Sequence, residues 1–277
     1  MESVIVSDSH EPLDVSEWEL NPVPVAGRYP KVELLKDDRK YITKFAAYKQ
    51  NGTEIPYHVS EYVACRLIRS LGYNVQEVAM VEYYGSPACL IKVFDTALIT
   101  FDGFGTPTMS QANLVYDLDI LHELFPEGKY NGNFSEYIWD TFLCDAFIHN
   151  LDRHPNNWGF YRIRVLYEKA PLIDCASSLY SLNAFETGKM QDLETWISKY
   201  GNSAIHYKGK RSSFQEIILE ETSPQFKASA AKFKAALVNL DTSCLDLVSK
   251  YWEQYTDYAL FVRKFLDRQV CWFNENL

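Results

Sequence analysis

The chain lacks several features that mark particular classes of protein. No apolar run approaches the roughly 20 residues that cross a membrane, so we expect no membrane span. No basic region precedes an apolar core near the N-terminus, so we expect no Sec-type signal peptide. The formal net charge is −10. Because nucleic-acid binders usually carry a basic excess, we expect no nucleic-acid partner.

The six cysteines contain no CxxC pair. Scattered cysteines without a disulfide or metal-binding spacing are typical of reduced, mostly buried thiols. Together with the missing signal peptide, this pattern predicts a cytoplasmic protein, with export by a signal-less route as the open alternative.

Both common phosphate-binding sequences, GxGxxG and GxxxxGKS/T, are also absent. The candidate that remains is VAGRYPK at 25–31. Gly27 would let the backbone approach a phosphate closely, and Lys31 would add positive charge. We therefore predict that Gly27 and Lys31 belong to a nucleotide-binding surface.

What is present is the composition of a globular protein, with 277 residues, 47% of them hydrophobic and 23% charged. Residues 1–22 are acidic and polar, and we expect them to be loosely ordered. Residues 23–95 are typical of strands with one inserted helix, whereas 96–277 are mainly helical. The fold class predicted is α+β, with a small β-rich lobe and a larger helical lobe in one domain.

Local patterns predict individual elements within this division. A helix begins at Pro56 and runs to about Leu71, with Gly72 just past its end. A second helix over 135–150 carries one buried stripe, with Ser135 as its N-cap. The predicted pairs of strands are 32–45 around a turn at 36–39, 75–94 around a turn at Gly85-Ser86-Pro87, and 158–174.

Two stretches carry the most chemical information: HNLDRHPNNWGF at 149–160 and APLIDCASS at 170–178. The first contains Asp152 and, five residues later, Asn157. The second contains Asp174 after an apolar lead-in. An aspartate, an asparagine five residues on and a second aspartate beyond a hairpin match the way protein kinases hold a hydroxyl and two magnesium ions. We predict Asp152 as the catalytic base, with Asn157 and Asp174 as magnesium ligands.

Simpler interpretations exist for each of these residues alone. Asp152 would be an ordinary loop aspartate and Asn157 a turn former. A calcium loop is excluded because Asn157 stands where an EF-hand needs glycine. A zinc site is not indicated, since His149 and His154 have no matching pair of ligands.

A lysine within an otherwise apolar strand requires a partner, because burying an unpaired charge is costly. Lys44 lies in such a strand, and Glu61 lies early in the following helix. In kinases a strand lysine pairs with a helix glutamate and reaches the phosphates. We predict that Lys44 and Glu61 form this pair.

The chain resembles the HipA-like serine/threonine kinases, in particular their compact CtkA-type branch, from about residue 25 to 183. The segments that carry the resemblance are VAGRYPK, KYITKF, HVSEYVACRL, LDRHPNNWGF and APLIDCASSL. The resemblance implies a bilobal protein-kinase-like fold, ATP and magnesium as cofactors, and phosphorylation of protein Ser/Thr hydroxyls, often with autophosphorylation. By position it assigns roles to Asp152, Asn157, Asp174, Lys44 and Glu61 that agree with those above. It also places an adenine-binding hinge at Ile91, Val93, Phe94 and Asp95.

The chain departs from the kinase pattern at three positions. Pro24 stands where the family toxin has a serine that can be autophosphorylated. Leu151 precedes Asp152, so no arginine stands ahead of the aspartate to receive an activation-loop phosphate, and we predict activity without that switch. Cys175-Ala176 follows Asp174, which keeps the metal ligand but not the usual glycine.

Two other functions stay open at this point. The first is a nucleotide-binding pseudokinase that serves as an interaction module, and the second is a kinase fold that transfers AMP. The sequence also leaves open the physiological substrate, the oligomeric state, and whether the acceptor is a tyrosine, lipid or small-molecule hydroxyl.

Overall fold

The structure is a computed structural model. It describes residues 11–22, 29–94, 98–100, 134–153, 155–163, 166–181, 205–207 and 210–277. The chain divides into two units, each assembled from three segments. The first unit comprises 1–93, 174–191 and 241–264, and the second comprises 94–173, 192–240 and 265–277. Whereas the sequence suggested one boundary near residue 95, two later segments return to the first unit.

The described residues form thirteen strands and six α-helices. The strands are β1 (Leu13–Asp14), β2 (Glu19–Asn21), β3 (Lys31–Lys36), β4 (Arg39–Lys44), β5 (Ala47–Tyr48), β6 (Glu54–Ile55), β7 (Val78–Tyr83), β8 (Ser86–Lys92), β9 (Leu98–Thr100), β10 (Gly159–Ile163), β11 (Leu166–Lys169), β12 (Ile205–Tyr207) and β13 (Lys210–Ser212). The helices are α1 (Tyr57–Ser70), α2 (Phe134–Ile148), α3 (Phe214–Glu220), α4 (Pro224–Ala236), α5 (Ser243–Tyr251) and α6 (Thr256–Asn276).

The first unit contains a six-stranded sheet in the order β1-β7-β8-β4-β3-β2. Its edge strands β1 and β2 are joined by four residues. A flat sheet would put these edges about 24 Å apart, but the five residue steps from Asp14 to Glu19 reach at most about 18 Å. The sheet must therefore curl, and Val15 is fully buried in its core. The prediction that 1–22 is loosely ordered is wrong for 11–22, while 1–10 lie outside the described residues.

Both hairpins of this sheet turn through two residues with positive φ, the geometry that matches strand twist. The β3–β4 turn uses Asp37 and Asp38, as predicted. The β7–β8 turn uses Tyr84 and Gly85. The predicted turn at Gly85-Ser86-Pro87 is thus displaced, because Ser86 and Pro87 already pair with β7.

Alternation along β4 decides which side chains reach helix α1. Tyr41 and Thr43 are fully buried in the sheet, and Lys44 is on the other face of the strand. Helix α1 covers Tyr57–Ser70, with Pro56 as its N-cap and Leu71 as its C-cap, and Gly72 follows with a φ of 82°. The predicted bounds of this helix are confirmed.

Helix α2 is the centre of the second unit. Fourteen of its fifteen residues are buried, so the prediction of one buried stripe is wrong. A helix enclosed on all sides is apolar all round rather than on one face. Its aromatic contacts include Trp139 with Phe226 and Phe147 with Phe233. Ser135 lies inside the first turn rather than at the N-cap.

The predicted hairpin after α2 is present as β10 and β11, and β9 pairs with the free side of β10. Gly159 faces Thr100 in this sheet. A Cβ added at Gly159 would lie 2.1 Å from the carbonyl oxygen of Ile99. Close approach of two backbones therefore requires glycine here.

Five of the six cysteines are buried as free thiols, as predicted, and Cys271 is exposed. In the described part of the chain no helix combines the length and the apolar character needed to span a membrane.

Candidate active site

Three charged residues from distant parts of the first unit meet in one contact, here called the lysine cluster: Lys44, Glu61 and Asp174. The Lys44 Nζ lies 2.6 Å from Glu61 Oε2 and 2.7 Å from Asp174 Oδ1. Glu61 is fully buried, whereas the Asp174 side chain is 39% exposed. The predicted contact between Lys44 and Glu61 is present, and Asp174 completes it.

The buried Glu61 carboxylate has further donors that the sequence analysis missed. The Cys175 backbone N–H donates to Glu61 Oε1 over 2.8 Å, and Gln76 Nε2 donates to the same oxygen. Buried carboxylates are stable only when such donors replace water. Nothing in the sequence singled out Gln76, because it lies on the loop between α1 and β7.

The neighbouring carboxylates keep Lys44 charged. Burial by itself would lower the pKa of Lys44, but attraction to Glu61 and Asp174 outweighs it, so the pKa lies above its ordinary value. Lys31 faces Lys44 across the β3–β4 ladder. The pKa of Lys31 is lowered by burial and by repulsion from Lys44. An anion bound beside these two lysines would relieve that repulsion.

Asp174 has a backbone φ of 53°, in the left-handed region. Aspartate tolerates this region better than most residues, but such conformations are uncommon and cluster at functional sites. This backbone conformation accompanies two contacts made by neighbouring residues. The Asp174 carboxylate contacts Lys44 while the next N–H, of Cys175, donates to Glu61.

The predicted hinge is only partly described. Ile91 is buried and paired on both sides within the sheet. The Val93 N–H donates to the Lys40 carbonyl over 3.0 Å, so a bond from Val93 to adenine would first have to break this one. Phe94 stacks edge-on against Tyr161. Asp95 lies outside the described residues, as does Gly27.

The second unit carries Asp152 and Asn157 on the loop after α2. The Asp152 N–H donates to Asn150 Oδ1 over 3.2 Å. Asn157 ends a 3₁₀ turn, is 4% exposed, and donates its Nδ2 to the Asp152 carbonyl over 2.8 Å. That bond orients the Asn157 amide, so its Oδ1 points away from the Asp152 carbonyl.

A buried ion pair that the sequence did not predict lies in this loop. Arg153 donates Nε and Nη2 to the two carboxylate oxygens of Asp145, each over 2.8 Å. The arginine cluster is defined here as Asp145, Arg153 and Asn157. An acid inside an apolar helix was the available signal, because such a group needs a cation nearby.

Each predicted metal ligand, taken within its own unit, carries an oxygen that suits a hard divalent cation. Asp174 of the first unit has a carboxylate that is 39% exposed, and Asn157 of the second unit has an amide oxygen. Mg²⁺ prefers such oxygen ligands. A different group, with the side-chain ligand atoms of Glu61, Cys65 and Cys175 within 4.8 Å of one another, is less suitable. Its carboxylate is already held by Lys44, Gln76 and the Cys175 N–H.

The fold is that of a protein kinase. Its structure is similar to a crystal structure of the Helicobacter pylori proinflammatory kinase CtkA, with a TM-score of 0.77 and 20% identity over 96% of this chain and 98% of that one. It is also similar to HipA of Shewanella oneidensis in a complex with HipB and operator DNA, with a TM-score of 0.52 and 15% identity over 91% and 67% of the two chains.

The family follows from the sequence. The chain belongs to the HipA-like C-terminal domain family, whose model matches residues 23–240. It is 30% identical over 188 residues to the serine/threonine-protein kinase CtkA of Helicobacter pylori. This match covers 61% of the chain and 56% of that relative, so the chain spans little more than half the length of the curated protein. The resemblance to HipA-like kinases of the CtkA type is confirmed.

Proposed function

We propose that the chain is an ATP- and magnesium-dependent protein serine/threonine kinase. The observation that carries this proposal is the lysine cluster, in which one buried lysine contacts both a helix glutamate and Asp174. Kinases need this pairing to hold the nucleotide phosphates. Family membership and the name of the relative CtkA support the same reaction.

In this proposal the side chains have distinct tasks. Lys44, with Lys31 on the neighbouring strand, neutralises nucleotide phosphates, and Glu61 keeps Lys44 extended and charged. Asp174 and Asn157 would hold magnesium, which supplies positive charge against the phosphate oxygens. Gly27 and the hinge residues Ile91, Val93, Phe94 and Asp95 would contact the nucleotide, with the Val93 N–H released from Lys40.

Asp152 would accept the proton of the acceptor hydroxyl. The hydroxyl oxygen forms a bond to the γ-phosphorus while the bond from that phosphorus to the β–γ bridging oxygen breaks. ADP leaves, and the proton resides on the Asp152 carboxylate before it passes to solvent. The same reaction on a hydroxyl of this chain would be autophosphorylation.

Incubation with ATP labelled at the γ or the α phosphate tests the proposal. We expect γ label on protein, stable as phosphoserine or phosphothreonine, and a loss of about 100-fold or more in Asp152→Ala and Asp174→Ala. Asp246→Ala is the matched control, because this aspartate pairs only with the surface residue Arg263 among the contacts described. Mass spectrometry of the labelled protein identifies the acceptor residues.

Other outcomes would replace the proposal by the alternatives. Transfer of α label would indicate an AMP transferase. A magnesium-dependent thermal shift with ATP, but no label transfer, would indicate a pseudokinase that acts as an interaction module.

A further inference from the structure

The guanidinium of Arg153 makes four hydrogen bonds, which connect helix α2, the loop after it and the residue before Asp174. Two go to the Asp145 carboxylate on α2. The other two leave Nη1, one to the Asn157 carbonyl and one to the Ile173 carbonyl over 2.7 Å. A guanidinium has five N–H groups, so at least four are occupied within the protein.

The two carbonyls that Arg153 binds have a special position in the chain. One belongs to Asn157, a proposed metal ligand, and the other to Ile173, the residue immediately before the second proposed ligand, Asp174. Arg153 therefore links the main chain at Asn157 to the main chain at Ile173, one residue before Asp174. The N–H donors of its guanidinium group form a planar fork with fixed geometry, which the flexible ammonium group of a lysine lacks.

The anion that balances Arg153 is part of the fold. The Arg153 side chain is 2% exposed and that of Asp145 is fully buried. Asp145 also accepts a bond from Asn150 Nδ2 over 3.0 Å. In many kinases the activation loop becomes ordered when its phosphate pairs with an arginine. In this chain the arginine is Arg153, which follows Asp152, and its guanidinium binds the buried carboxylate of Asp145 instead of a phosphate.

We propose that Arg153 is a positioning residue for the two metal ligands, and that Asp145 is a permanent counter-anion that makes phosphorylation unnecessary for this alignment. The inference rests on the proposed kinase function, since it assigns the ligands to that reaction. It predicts that losing the Arg153 guanidinium weakens the response to magnesium even in a variant that keeps its fold, because the buried Asp145 charge is removed at the same time.

The decisive variant removes both charges together, as Asp145→Leu with Arg153→Met. Replacing a buried ion pair by apolar side chains of similar size leaves stability nearly unchanged, while the two carbonyls lose their donor. We expect the magnesium concentration for half-maximal γ-phosphate transfer to rise about 10- to 100-fold, the range seen when groups that orient metal ligands are removed. The magnesium dependence of the ATP-induced thermal shift should rise in parallel.

Three further measurements accompany this variant. Arg153→Lys keeps a positive charge without the fork, and we expect a smaller rise in the magnesium requirement. Lys232→Met is the matched control, because it breaks ion pairs to Glu136 and Asp140 on α2, neither of which belongs to the arginine cluster. We expect the wild-type protein to keep its activity after exhaustive phosphatase treatment.

The outcomes separate this inference from the proposed function. If the wild-type protein transfers γ-phosphate but the double variant and Arg153→Lys both keep its magnesium response, Arg153 has no positioning role. If phosphatase abolishes wild-type activity, the permanent counter-anion is refuted. If the wild-type protein neither binds ATP with magnesium nor transfers phosphate, the kinase function itself fails. Should the double variant not fold, Arg153→Lys decides the matter by the same measurement.

Discussion

The lysine cluster and the arginine cluster both hold a buried carboxylate against a cation, but they differ in how far apart their members lie in the chain. Glu61 is 17 residues from Lys44, and Asp174 is 130 residues from it. Asp145 and Arg153 are separated by eight residues, on α2 and the loop after it. The first cluster thus depends on the complete fold of its unit, whereas the second is local.

The clusters also differ in exposure. The lysine cluster ends on the Asp174 carboxylate, which is 39% exposed and can contact a ligand. The arginine cluster is closed, and its remaining donors go to main-chain carbonyls. Under the proposed function the lysine cluster would contact the ligand, while the arginine cluster would hold the surrounding loop in place.

The largest effect on stability should follow from Arg153→Ala. It leaves the Asp145 carboxylate buried without its cation, which costs about 3–5 kcal/mol of unfolding free energy. Urea unfolding at pH 7.5 measures this loss. A loss of unfolding free energy below about 1 kcal/mol would show that the arginine cluster does not have the structural role assigned to it.

Lys44→Ala should affect activity much more than stability. We expect γ-phosphate transfer to fall roughly 100- to 1,000-fold, while stability falls by about 1–2 kcal/mol. The loss of stability is limited because Glu61 keeps the Gln76 and Cys175 donors and Asp174 is accessible to water.

Lys40→Ala is the matched control for Lys44→Ala. Lys40 lies on the same strand, is exposed, and pairs with Glu33 at 3.3 Å. Exposed pairs contribute about 0–1 kcal/mol, so both activity and stability should stay near wild type. If Lys44→Ala is unfolded under conditions where Lys40→Ala is folded, the main role of Lys44 is structural.

His58 gives a third case with a smaller expected effect, because it is a buried ionisable group with no counter-charge among the described residues. Within the described part of the chain neither ring nitrogen has a hydrogen-bond partner, and the ring packs on Trp252 and Tyr255. Burial lowers the pKa of His58 to about 3. Folding therefore keeps the ring neutral.

The unfolded chain takes up a proton on His58 near pH 6.5, while the folded chain does not. The stability that His58 contributes is complete above pH 6.5 and falls as the pH decreases toward 3. Between pH 7.5 and 5.5 we expect His58→Phe to lose about 1.4 kcal/mol less unfolding free energy than the wild type. Urea unfolding at both pH values measures this, and equal losses would contradict the burial of a neutral ring.

Short-range patterns in the sequence predicted part of this structure correctly. Pro56 and Gly72 bound a helix because proline favours a helix start and glycine favours the residue past its end. The apolar surroundings of Lys44 predicted that it needs a partner, and Glu61 was the acid on the next helix. Asp174 was predicted as a metal ligand, but its bond to Lys44 was not foreseen.

Other elements had no detectable pattern. β1 and β2 contain two and three residues, too few for the alternation that identifies a strand. Their pairing with β7 and β3 depends on the curl of the whole sheet. Gln76 and Arg153 were missed for a related reason, since their importance comes from what surrounds them rather than from their spacing.

The sequence by itself determined the family, the first helix, the predicted pairs of strands and the residue types proposed for phosphoryl transfer, because these depend on local periodicity and on the chemistry of single side chains. Only the tertiary structure decided which carboxylates share Lys44 and which carbonyls share Arg153. The contact between Lys44 and Asp174 joins segments that are distant in the chain. Both sets of contacts gain their strength from burial, which excludes water and strengthens each hydrogen bond to a charged group.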